Sequence, residues 1–380
     1  MAKKIIRLMS FFIFSMWWVT PLSAKEQSIN QNMKDIFHEL TFLYPLALNP
    51  GGFRGKADAK TSLYRLYQST NSIHHFDHSK NLGAKYLLSS TKADAKAAWQ
   101  RFEDQRYEES QFIIRHITEN CVACHSLLPS EKAFPLVPRF VQFVNKHDAL
   151  PSAKARLFMA SRQNDKALAI IEEDIQSKSL KHLLFKPEIM TLYFSLLLSA
   201  PQQYDRGMAC LELKLKSSSH AEESVATAKN WIDSLRDLKS MPAENNLVVL
   251  AERHIASSKK LGRFPSDLNG LVYKIAALKT LERAMEVITV PSTLSRIYLL
   301  AGEMELQIFQ SFWLSKPQNY LETAIHLHPK GINAKKAYDA LEQHLVLGYT
   351  GTSGVHLPDE VKDRLAGYRK MIGIENSFKK

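Results

Sequence analysis

Apolar residues recur along this chain at three- and four-residue intervals, the spacing of one helix face, and alternation of the β type is scarce throughout. Between residues 30 and 128 the pattern divides into four segments. Met33, Ile36, Phe37, Leu40, Leu43 and Tyr44 form one stripe, which Asn49-Pro50-Gly51-Gly52 stops. A second helix is predicted from about Asp58 to Ser72, with Leu63, Leu66, Tyr67 and Ile73 in phase, and His74, His75 and His78 crowd the turn after it. The third starts near Lys80 and carries Leu88, Ala95, Trp99 and Phe102, with Ser89-Ser90 as a candidate break. The fourth begins near Arg106, keeps Ile114, Ile117, Cys121 and Cys124 on a single face, and ends before Pro129. Four amphipathic helices with short connections predict a bundle, and bundles build cofactor sites between facing helices.

From Pro151 onward the pattern stays helical, so the fold class expected is all-α: an N-terminal four-helix bundle followed by an α-helical array. Ala160, Ala167, Leu168 and Ile171 resemble the small-residue packing of a tetratricopeptide helix pair. Tyr320 to Pro329, followed by Ala334, Ala337, Tyr338 and Leu341, is a second loose match. No clean 34-residue period runs through the region, so solenoid character stays open. Gly348-Tyr349-Thr350-Gly351-Thr352-Ser353-Gly354 lacks the lysine of a phosphate-binding loop and is expected to be a tight connection before a last helix near Pro358.

The chemistry concentrates in Cys121-Val122-Ala123-Cys124-His125. Cys-x-x-Cys-His is the pattern that receives a covalently attached c-type haem, with two thioether bonds from the cysteines and the histidine as an axial iron ligand. Positions i, i+3 and i+4 share a helix face, so three side chains can meet one porphyrin face. A zinc half-site is the competing reading, but zinc wants a second ligand pair and the remaining cysteine, Cys210, is isolated. Cys210 is expected to be a buried thiol within a helix.

Residues 30 to 128, with the Met33 helix, the Trp99 and Phe102 helix and Tyr107 to His125, resemble the cytochrome c′ superfamily, the class II c-type cytochromes. The resemblance implies one haem c held by Cys121 and Cys124, with His125 as the proximal iron ligand. Where members carry a basic residue a few positions beyond that histidine, this chain has Ser126-Leu127-Leu128-Pro129. In such proteins the sixth position is either open or filled by a methionine on the first helix. Met33, the only methionine between residue 25 and the motif, is the candidate distal ligand, and core filler is its alternative role. His38, His74, His75, His78 and His116 are further candidates, each of a type more often found at a surface or turn.

The resemblance also implies electron transfer in the periplasm. Residues 1–24 fit an export signal: Lys3, Lys4 and Arg7, an apolar core from Leu8 to Val19, and Pro21-Leu22-Ser23-Ala24 before Lys25. Domains are then expected at 25–135 for the haem bundle and 136–380 for the array. The chain carries 50 basic and 38 acidic residues, and loss of the signal leaves 47 against 38, a formal +9. The basic residues are dispersed and no recognition motif accompanies them, so nucleic acid is not an expected partner. No later stretch is apolar enough to span a bilayer. A periplasmic redox partner is expected instead, docked by the array. The alternatives are a haem-based gas or redox sensor, or a partner-binding adaptor. No distal acid/base pair is evident, so an enzyme is not expected.

Overall fold

The computed structural model describes residues 29–73, 82–127, 150–217, 221–308, 315–352 and 354–374. The export signal, His74, His75, His78 and Pro129 lie outside them, as does the side chain of His125, whose backbone is described. The described residues are all-α apart from one small hairpin.

The first four helices are α1 (Ile29–Leu48), α2 (Ala57–Asn71), α3 (Leu82–Glu103) and α4 (Tyr107–Leu127). Each packs on the next, and α1 closes the ring against α4. Their apolar stripes meet inside: Ile36, Leu40, Leu43, Leu63, Leu66, Ala95, Ile114 and Ile117 are all buried. Ser89-Ser90 does not break α3, which runs through both; Thr91 satisfies its hydroxyl within the helix by donating to the Leu87 carbonyl at 2.8 Å. Trp99 stacks on Tyr67 with centroids 5.7 Å apart and planes inclined by 4°, fastening α3 to α2.

Polar ties set the direction of packing. The last carbonyls of α1 have no partner within their helix. Gln111 donates to the carbonyls of Leu46 and Asn49 at 2.8 and 2.6 Å, and Arg115 to that of Ala47 at 2.8 Å. At the other end of the bundle, Ser72 donates to Asn32 at 3.2 Å and Lys92 donates to the Ile73 carbonyl at 2.6 Å. Asn120 of α4 donates to Asp94 of α3 at 3.1 Å, and His116 Nδ1 lies 3.1 Å from the same carboxylate.

The array comprises α5 (Pro151–Ala160), α6 (Asn164–Ser177), α7 (Leu180–Phe185), α8 (Glu188–Leu197), α9 (Tyr204–Lys216), α10 (Glu222–Ser240), α11 (Leu247–Leu261), α12 (Leu271–Val287), α13 (Pro291–Ile308), α14 (Ser315–Leu327), α15 (Ile332–Gly348) and α16 (Asp359–Ile372). α5 pairs with α6, α9 with α10, and each helix from α11 to α16 with the next, while α6 on α8, α10 on α12 and α13 on α15 add contacts between alternate ones. Both helix pairs anticipated from small-residue packing form, as α5 with α6 and α14 with α15. Gly302 lets α13 approach α14 closely, because a Cβ there would sit 2.7 Å from Leu321. The glycine-rich segment expected as a tight connection takes the form of a hairpin, Thr350–Gly351 paired antiparallel with Gly354–Val355. Gly354, paired with Gly351 as the second strand begins, has φ of +102°, a region that L side chains rarely enter.

Bundle and array share one contiguous core. α4 packs on α5, α12 and α14, and α3 packs on α14. At the C-terminal end of α4, Thr118, Asn120 and Ala123 are therefore buried beyond the stripe that faces the bundle.

Helices α3 and α5 end alike. The Arg106 and Gln105 amides donate back to the carbonyls of Arg101 and Phe102, and those of Gln163 and Arg162 to Phe158 and Met159. This is the Schellman arrangement, whose left-handed residue is usually glycine. Here it is Gln105 at φ 60° and Arg162 at φ 59°. Gln105 is exposed, so Gln105→Gly should relieve strain and raise stability by about 1 kcal/mol. A denaturant midpoint that stays level or falls would refute this.

Candidate functional site

The Cys-x-x-Cys-His segment occupies the last turns of α4. Glu108 and Glu109 in the first turn suit the positive end of the helix dipole, and the stripe of Ile114 and Ile117 carries the register toward the cysteines. Cys121 and Cys124 are both free thiols, packed against the core on that side. Burial pushes the Cys121 thiol up to about 12, with Cys124 and Glu119 acting in the same sense. Burial pushes the Cys124 thiol up to about 11 against the pull of Arg162. Redox-exchange cysteines need a depressed pKa and access, so these thiols do not suit dithiol exchange. Covalent attachment of a flat apolar group on the core side is compatible with both.

Met33 is half-buried and packs on the core beside Ile36. Its level follows from the tie between Gln111 and Leu46. Thirteen residues back along α1 from Leu46 is Met33, and thirteen onward along α4 from Gln111 is Cys124. The helices run in opposite directions, so at 1.5 Å per residue both positions lie about 20 Å from the tie, at one end of the bundle. The ties of Asn32 to Ser72, Lys92 to Ile73 and Asn120 to Asp94 form a polar belt around that same end. The structure thus brings Met33 to the level of the motif on a facing helix, so that the thiol and thioether donors a haem c would take share that end of the bundle.

The alternative ligands fare differently. His38 is exposed on α1. His116 has its Nδ1 beside Asp94 and a side chain only 16% exposed, so it belongs to the helix interface rather than to a surface or turn. Cys210 is buried in α9 as expected, and its sulfur accepts from Gln176 Nε2 at 3.4 Å. Among the described residues no three His, Cys, Asp or Glu side chains gather as a metal-ion site.

Two features near the motif escaped the sequence reading. Arg162, at the left-handed turn after α5, acts electrostatically on Cys124 and places a positive charge near the motif where residues 126 to 129 supply none. Its only local signal was a turn between two helical patterns. The second feature is a band of buried charge where α4 meets the array. Arg156 of α5 pairs with Glu119 of α4 and Glu188 of α8. Farther in, Lys316 Nζ lies 3.0 Å from Glu282 and 2.6 Å from Glu305, while Lys279 lies 2.9 Å from Glu282. Two lysines hold the Glu282 carboxyl down at about 2 despite its burial, whereas burial pushes the carboxyls of Glu119 and Glu305 up. A cavity of about 70 Å³ joins these groups to the motif, lined by Glu119, Val122, Ala123, Lys279, Glu305 and Lys316 among others.

No described helix is long and apolar enough to cross a membrane. Comparison with protein families, with characterised proteins and with solved structures found no match for this chain.

Proposed function

We propose that the chain is an exported monohaem c-type cytochrome that carries single electrons in the periplasm to or from a redox partner. The observation that carries this reading is the placing of Cys121 and Cys124 on the core face of α4, with Met33 at their level on α1. When bound, the haem supplies an iron that alternates between the ferric and ferrous states. Cys121 and Cys124 anchor it through thioether bonds, and His125 is the proximal ligand. Met33 fills the distal side, where a thioether favours the reduced iron. The packed stripes of the bundle exclude water from the face between them.

Holoprotein denatured and extracted with acidic solvent should keep its haem, and the native spectrum, oxidised and reduced, should be low-spin. Met33→Ala should turn that spectrum high-spin and let carbon monoxide bind the reduced protein without displacing a ligand. A spectrum unchanged by Met33→Ala would sink the methionine ligand, and a high-spin wild-type protein would favour the gas-sensor alternative. That second reading draws on the docking of α14 and α5 against α3 and α4, which ties the array to the bundle.

A further inference from the structure

The cavity between α4 and the array is an unusual place for charge. Val122 and Ala123, the two residues enclosed by the motif cysteines, form part of one wall. Glu305, completely buried, forms part of the other. Asn120, Ser195 and five apolar residues, Met159, Leu192, Ile275, Leu278 and Ile308, complete the lining, and the polar groups gathered on its walls give a water molecule of about 30 Å³ its partners.

The charges around Glu305 are unevenly satisfied. α12 contributes Lys279 and Glu282, α14 contributes Lys316 and Tyr320, and α4 contributes Glu119, while Tyr298 of its own helix acts on Tyr320. Lys336 of the neighbouring α15 acts on Glu303. Glu282 takes both lysines and accepts from Tyr320 at 3.3 Å. Among the described residues Glu305 has only the shared Lys316, on Oε1, and its Oε2 has no hydrogen-bond partner. A buried carboxylate short of partners favours its neutral form, and burial raises this one accordingly. Glu119 bridges the electrostatics, since it acts on Cys121 on one side and on Glu305 on the other.

We infer that Glu305 is a proton-binding residue whose uptake of a proton is linked to arrival of an electron at the motif, so that the array makes the carrier's potential depend on pH. This rests on the haem reading above. As an electron from a one-electron carrier would take iron(III) to iron(II), Glu305 takes one proton from a solvent hydronium ion, which is left as water, and passes from carboxylate to carboxylic acid: one O–H bond breaks in the hydronium and one forms on the carboxyl. The negative charge of ionised Glu305 opposes the incoming electron, so the potential falls as pH rises through the carboxyl's range and levels off on either side.

The test uses full-length holoprotein with redox mediators. In the wild type the equilibrium constant for reduction should fall by a factor of about ten across that pH range. Glu305→Gln, which keeps shape and loses the proton site, should flatten the curve near its low-pH limit. An infrared difference spectrum of the wild type should gain a carboxylic-acid band on reduction that shifts in deuterated water, a readout that holds even where the variant does not fold. A pH-independent wild-type potential, no such band, or an unchanged slope in Glu305→Gln each overturns the assignment. Wild-type protein without covalent haem overturns the haem reading first, and is told apart by the absence of any haem spectrum.

Discussion

With Cys121→Ala and Cys124→Ala combined, covalently bound haem should fall from about one per chain to none, measured as haem absorbance remaining with the polypeptide after denaturation and acidic extraction. The effect is all-or-none because the two thioether bonds are the only covalent tethers the motif offers. Each single variant should retain one tether and so a reduced yield of attached haem. Loss through misfolding is separable. Both cysteines are half-buried, and Cys→Ala removes one sulfur from each, which should cost about 1 kcal/mol apiece and leave the helical circular dichroism intact. Haem that persists in the double variant, or washes away from the wild type, would show that the motif serves another purpose.

Lys316→Ala should destabilise the chain by about 3–5 kcal/mol, read as a fall in denaturant midpoint at unchanged slope. The ammonium lies against two carboxylates that are 5% and 0% exposed, and its removal leaves them facing each other with Lys279 alone for compensation. Much of that loss should return when Glu282→Gln and Glu305→Gln are added, since taking a whole buried charge cluster to neutral groups is often nearly free. An equal loss in the triple variant would mean that packing by the lysine stem, rather than charge, sustains the site.

The two carboxyls also act oppositely on stability. Glu282 is depressed to about 2, so its contribution is present above the ordinary carboxylate range and is lost as pH falls from about 4.5 through about 2. Glu305 is raised, so its folded form binds the extra proton, and stability falls as pH rises through its folded value.

Local pattern carried the bundle. The four stripes, the stop at Asn49 to Gly52 and the start near Arg106 follow from spacing and breakers, and the helices observed match them within a few residues. Ser89-Ser90 looked like a weak point because serines compete for backbone hydrogen bonds, yet the ties of Lys92 and Asp94 hold that stretch from outside. The joint between bundle and array had no such signature. Glu305 and Lys316 are charged residues in helical patterns with nothing local to mark them, and the meeting of α4, α12, α13 and α14 buries them. Likewise Arg162 joins the motif's surroundings through tertiary packing, and no spacing rule connects it to residue 124. For the motif, the residue types and their face were legible in the sequence, but the level of Met33 needed the pairing of Gln111 with Leu46.

The covering of α3 by α14 has a consequence in time. The two helices are separated by 211 intervening residues, from Glu103 to Ser315. At about 5–20 residues per second, α3 emerges from the ribosome about 10–40 s before its partner exists. A bundle that folds ahead of the array therefore has the flank against α14 open, and in an exported chain that flank closes only once α14 has followed it out.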